Sequence, residues 1–114
     1  MAEEQRQWAQ AEQYYRQALD IYIEFNDRYS QASTYHQLGR VAQEQRQWAQ
    51  AKEYFLTALR IYVEYQDEYS RGVVLDSLSR LHRASGDASV LAATAQVLGA
   101  PVVEVERLFG QAGE

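Results

Sequence analysis

The chain contains no cysteine in its 114 residues, which removes disulfide bridges, thiolate nucleophiles and cysteine-bound zinc from consideration. Such a composition fits a reducing compartment, and a cytoplasmic location is the expectation. One proline and six glycines leave little material for the turns of a sheet protein. The abundance of Ala, Gln, Leu, Glu and Arg favours helix almost throughout. No run approaches the roughly 18 apolar residues of a membrane span, so no membrane partner is expected. The polar opening Met1-Ala2-Glu3-Glu4-Gln5-Arg6 does not have the form of a secretory signal. A basic excess is also missing: 11 Lys and Arg face 16 Asp and Glu, for a formal charge of −5. A phosphate-binding surface normally shows the opposite balance, so a nucleic-acid partner is not expected.

What is present is a repeat. Gln5-Arg6-Gln7-Trp8-Ala9-Gln10-Ala11 recurs unchanged forty residues later as Gln45-Arg46-Gln47-Trp48-Ala49-Gln50-Ala51. At the same offset Ala18-Leu19 returns as Ala58-Leu59, Ile21-Tyr22 as Ile61-Tyr62, Asp27 as Asp67, and Tyr29-Ser30 as Tyr69-Ser70. Differences such as Tyr15/Phe55, Ile23/Val63 and Phe25/Tyr65 keep their apolar character. A period of this length built from helix formers indicates a solenoid of stacked helices. A third copy has decayed: Leu78, Arg80 and Leu81 align with Leu38, Arg40 and Val41, but Gly86-Asp87-Ala88 replaces the tryptophan motif. Terminal repeats often diverge because one face must meet water.

Breakers place the helices. Apolar residues at Ala11, Tyr15, Ala18, Leu19, Tyr22 and Phe25 predict a helix from Trp8 to about Phe25. Asp27 can cap the next, with Tyr35, Leu38, Val41 and Ala42 on its face, ending near Gln45. Arg46-Gln47 then turns the chain, Trp48 to about Tyr65 repeats the long helix, and Asp67 caps one running to Ser85. Gly86-Asp87 stops and restarts the chain for a shorter helix from Ala88 to Leu98. Gly99 ends that one, and Pro101 suits the first turn of a last helix through Phe109. Ala2 to Gln5 would be a one-turn stub, giving an all-α chain of about seven helices. The expected division is residues 1–27 as a truncated first repeat, 28–66 as a full repeat, 67–98 as a decayed terminal repeat, and 99–114 as a capping helix and tail.

Tyr35-x2-Leu38-Gly39 in one helix, followed by Ala51-x3-Phe55-x2-Ala58 in its partner, resembles the tetratricopeptide repeat consensus. The pattern departs from it at Ala42, where a second aromatic is usual, at Arg46, where the turn glycine stands, and in lacking a terminal proline. The second helix is about six residues longer than in the 34-residue form, which is similar to the forty-residue class of spindle-orientation adaptors and bacterial signalling proteins. The resemblance covers residues 2 to about 86. It implies a right-handed solenoid of helical hairpins that binds proteins through a groove lined by the first helix of each pair. It does not specify the ligand.

On that inner surface fall Ser33, His36, Gln37, Arg40, Gln43 and Glu44, and from the following repeat Val73, Asp76, Ser77, Arg80 and Arg83. Six of these, His36, Arg40, Gln43, Asp76, Arg80 and Arg83, are the expected partner-binding residues. Arg40 and Arg80 are repeat-equivalent, a cationic ladder suited to the carboxylates of an acidic partner segment. The same residues would also make an ordinary solvated face, with Arg40 paired to Asp76. Members of the family that clamp carboxylate tails need Lys, Asn and Arg at set groove positions. Here those places hold His36, Arg40, Ser77 and Val73, so that function is not carried over.

Catalytic, metal and cofactor chemistry find no foothold. His36 and His82 form no metal-ligand spacing. A triad of His36, Asp76 and a serine would lack a nucleophile elbow and an oxyanion nest. Trp8 and Trp48 stand where the repeat already wants a large residue, and aromatic stripes at helical spacing are normally core. The segment from Ala88 onward is apolar along Val90, Leu91, Ala95, Leu98, Val102, Val105, Leu108 and Phe109. It is expected to cap the stack, with a docking face for a partner helix as the alternative. The expected function is therefore a protein-interaction scaffold; the alternative is a spacer array of a larger signalling protein with no peptide ligand. At the N-terminal end Tyr15, Leu19 and Tyr22 would lack a covering helix, and self-association there is expected.

Overall fold

A computed structural model describes the backbone of residues 2–112 and the side chains of residues 3–110. Met1 and the end of the expected tail, Gly113 and Glu114, lie outside the described residues. Among the described residues six helices follow one another: α1 (Ala2–Glu24), α2 (Arg28–Glu44), α3 (Trp48–Glu64), α4 (Glu68–Ser85), α5 (Ser89–Leu98) and α6 (Val102–Ala112). Sequence neighbours pack against each other from α1 through to α6, and α3 also touches α5. This is a stack of helical hairpins.

The seam between α2 and α3 shows why the repeat needs its small residues. Leu38, Ala42, Ala51, Phe55, Ala58 and Leu59 are buried there. Gly39 lets the two axes approach: a Cβ at that position would stand 2.5 Å from Cε1 of Phe55, well inside contact distance. Asp27 and Asp67 cap α2 and α4 by accepting from the amides of Ser30 and Ser70. Tyr29 ties the hairpins together. Its hydroxyl donates to Asp67, and its ring lies edge-on to Tyr62 and Tyr65, with centroids 5.8 and 5.3 Å away. Those hydrogen bonds hold both carboxyls below the ordinary range, Asp27 mainly through the Ser30 hydroxyl and Asp67 mainly through Tyr29.

Three hairpin turns share one geometry at a spacing of twenty residues. Asn26, Arg46 and Gln66 have φ of 55°, 59° and 55°. In the middle turn the Arg46 amide donates to the Gln43 carbonyl and the Gln47 amide to the Ala42 carbonyl, both at 2.9 Å, a Schellman closure. A side-chain-bearing residue in the left-handed region costs about 1–2 kcal/mol, a cost glycine escapes. Arg46→Gly is therefore expected to stabilise the chain by about 0.5–1 kcal/mol in urea unfolding, after the greater freedom of glycine in the unfolded chain is subtracted. A loss of stability would mean that the Arg46 side chain contributes packing the geometry does not reveal.

The first repeat departs from expectation. Among the described residues no stub and turn precede Trp8; α1 runs unbroken from Ala2 to Glu24, so the described helices number six where the sequence predicts about seven. Gln5-Arg6-Gln7 is thus helical while the identical Gln45-Arg46-Gln47 is a turn. The cause is tertiary. The strained turn is repaid in the second copy by burial of α2 on α3, whereas at Gln5-Arg6-Gln7 no described helix folds back on α1, and these good helix formers continue the helix. α1 consequently holds no fully buried side chain among its described residues. Ile21 is 53% exposed where its equivalent Ile61 is 0% exposed.

At the other end α5 and α6 close the stack. Val90, Ala95, Val105 and Phe109 are buried with the core, and the Ser79 hydroxyl donates to the Phe109 carbonyl at 3.2 Å. Val102 remains 43% exposed, so the apolar stripe of this segment is spent mainly on the cap. No single helix is long and apolar enough to cross a membrane.

Candidate functional site

The forty-residue period puts equivalent positions of α2 and α4 on one side of the stack, and the two helices touch. Arg40, Gln43 and Glu44 from α2 meet Ser77 and Arg80 from α4 around one hollow of about 130 Å³. One turn earlier on α2, His36 places Nε2 2.7 Å from the Ser77 hydroxyl, with its ring 5.5 Å from that of Phe55. Burial, reinforced by the Arg40 charge, holds the imidazole below its ordinary value. The ring is therefore neutral near pH 7 and offers one donor and one acceptor.

Three of the six residues expected from the sequence, Arg40, Gln43 and Arg80, share this hollow, and His36 borders it through Ser77. Asp76 lies beside it, paired with Arg80 at 2.9 Å within the same helix and not with Arg40. The geometry favours this pairing because residues four apart on a helix already face each other. Among the described residues Arg40 is exposed and has no carboxylate within ion-pair distance. Arg83 is exposed in the last turn of α4, outside the residues lining the hollow.

A neighbouring hollow of about 300 Å³ has Trp8, Ala11 and Tyr15 of α1 as one wall and Gln37, Arg40, Val41 and Glu44 of α2 as the other. Arg40 and Glu44 border both, so the two hollows adjoin in a row across three helices. Its aromatic end was not legible as a site, since Trp8 reads like Trp48, a residue packed against the core. Nothing local to the sequence separates the two tryptophans. The arrangement supplies a free guanidinium, amide and hydroxyl groups, and an adjoining apolar recess. No group of three or more metal-ligating side chains occurs among the described residues.

A family profile described as tetratricopeptide repeat matches residues 1–62 and, in a second register, residues 30–90. The chain belongs to the tetratricopeptide-repeat family. Comparison with curated proteins and with solved structures gave no match. Tetratricopeptide repeats generally mediate contacts between proteins, and a rigid face of side chains carried on paired helices is suited to that task. In this tetratricopeptide-repeat chain the pair of hollows lies over α1, α2 and α4. The cap α5–α6 packs on α3 and α4 and contributes no residue to its lining.

Proposed function

We propose that this chain is a protein-interaction module whose channel holds an acidic segment of a partner. A partner carboxylate docks on Arg40, with Gln43, Ser77 and Arg80 beside it and the Trp8–Tyr15 recess taking an adjacent apolar side chain. The observation that carries the reading is the convergence on one hollow of an arginine without a carboxylate partner, from α2, with Ser77 and Arg80 from α4. Arg is the side chain best formed to fork a carboxylate, and an unengaged one gives up no existing ion pair on binding. His36, neutral and bonded to Ser77, holds the floor without adding charge.

The test is selection of a random peptide library on the folded chain. Enriched peptides should carry Asp or Glu beside an apolar residue and should shift the amide resonances of residues 36–44 and 76–80. R40E/R80E should keep its helical circular dichroism and bind those peptides about a hundredfold more weakly, the worth of one or two charge-assisted hydrogen bonds. Equal binding by the double variant would remove the channel as the site.

A further inference from the structure

The side of α1 turned away from α2 carries an apolar stripe that the channel does not use. Tyr14, Ile21 and Phe25 are 67%, 53% and 74% exposed, while Ala11 and Ala18 between them are half-buried. The spacing of Ala11, Tyr14, Ala18, Ile21 and Phe25 is three, four, three, four, the seam of a helix that pairs with another helix. The second repeat shows what the seam does when covered. The equivalents Ala51, Ala58 and Ile61 are all 0% exposed, Tyr54 is half-buried, and Tyr65 at the end of the seam keeps 47% exposure where Phe25 has 74%.

We propose that the occupant of this seam is α1 of a second copy of the chain, packed antiparallel about a two-fold axis through Ala18. The order of side-chain sizes selects this partner. With Ala18 facing Ala18, Ala11 of each copy faces Phe25 of the other, and Tyr14 faces Ile21. Every large side chain thus meets a smaller one, and the alanines on the axis let the helices approach closely. A parallel pair would instead set Phe25 on Phe25 and Ala11 on Ala11, leaving a bulge at one end and a gap at the other. Charge agrees. The outer flank of the seam is Gln10, Gln17 and Glu24; in the antiparallel pair Gln17 meets Gln17, and Gln10 meets Glu24. No like charges face one another across that flank. The seam spans roughly 21 Å of helix, a small interface, so the dimer belongs in the micromolar range. The inference is independent of the channel reading, because the two use different faces of α1 and share only Ala11 at their boundary.

The chain lacks cysteine, which allows direct mapping. The mass of the intact chain, diluted from millimolar to tens of nanomolar and followed by light scattering and, at the dilute end, mass photometry or sedimentation, should fall from twice the 13.2 kDa chain mass to the single mass. I21E should weaken the association at least a hundredfold, since each dimer loses two isoleucines and would bury two carboxylates. Under mild oxidation A18C should link to itself rapidly while E53C, on the exposed surface of α3, should not. A mixture of Y14C and I21C should link faster than either alone. A single-chain mass at millimolar concentration would overturn the proposal and leave the seam to a helix from elsewhere. Y14C linking to itself as fast as the mixture would overturn the antiparallel geometry.

Discussion

Ile61→Ala is expected to cost about 2–4 kcal/mol of unfolding free energy, and Ile21→Ala less than about 1 kcal/mol, when both are measured by urea denaturation at concentrations where the chain is a monomer. The pair is informative because the residues are repeat-equivalent and sit in the same Ile-Tyr dipeptide. Propensity, local sequence and place in the helix are matched, so the difference isolates coverage. Ile61 is 0% exposed in a core lined by both neighbouring helices, and Ile21 is 53% exposed on the open side of α1. Truncating Ile61 removes buried methyl and methylene groups and leaves a cavity, whereas Ile21 has little burial to lose. Similar losses at the two positions would mean that α1 is covered in the folded monomer, contrary to its place in the stack.

Gly39→Ala should destabilise by about 1–3 kcal/mol even though alanine is the better helix former by about 1 kcal/mol. The added methyl would lie 2.5 Å from Cε1 and 2.6 Å from Cδ1 of Phe55. That ring is fully buried and cannot swing into solvent. Either the ring leaves its rotamer or α2 lifts from α3, and both spread strain through the tightest seam of the molecule. Gly72, also helical, has nothing within 4 Å of its would-be Cβ, so Gly72→Ala should stabilise by about 0.5–1 kcal/mol. Combining Gly39→Ala with Phe55→Leu should recover most of the penalty, giving a coupling above about 1 kcal/mol in the double-mutant cycle. An additive cycle would rule out the Gly39–Phe55 contact as the reason for the glycine.

Much of the architecture was legible because its signals are local. Asp27 and Asp67 each precede a helix they cap, Gly86 and Gly99 sit in the left-handed turns their positions require, and the forty-residue offset fixes which positions are equivalent. The N-terminal turn was not legible because seven residues identical to those around Arg46 carry no local information that distinguishes them. Only the presence or absence of a helix to fold against does. The same division runs through the candidate site. Periodicity was enough to bring Arg40 and Arg80 to one face. Asp76 joins Arg80, four residues along its own helix, a local spacing that competes with and here wins over the cross-helix pairing to Arg40.

The contact from Tyr29 to Asp67 gives the stack a direction. Each tyrosine at the start of a first helix is a plug, and each capping aspartate forty residues on, bonded to its own serine, is the socket. In the middle of the chain plug and socket are joined. Asp27 is a socket whose side chain, among the described residues, accepts only from Ser30. Tyr69 is a plug 83% exposed, and the place where its socket would recur, nearest Arg107, belongs to the cap. A stack with a socket at one end and an exposed plug at the other is polar, like a filament with unlike ends. At the α1 end Asp27 keeps its own serine as partner, while at the α6 end the joint has been turned into a surface.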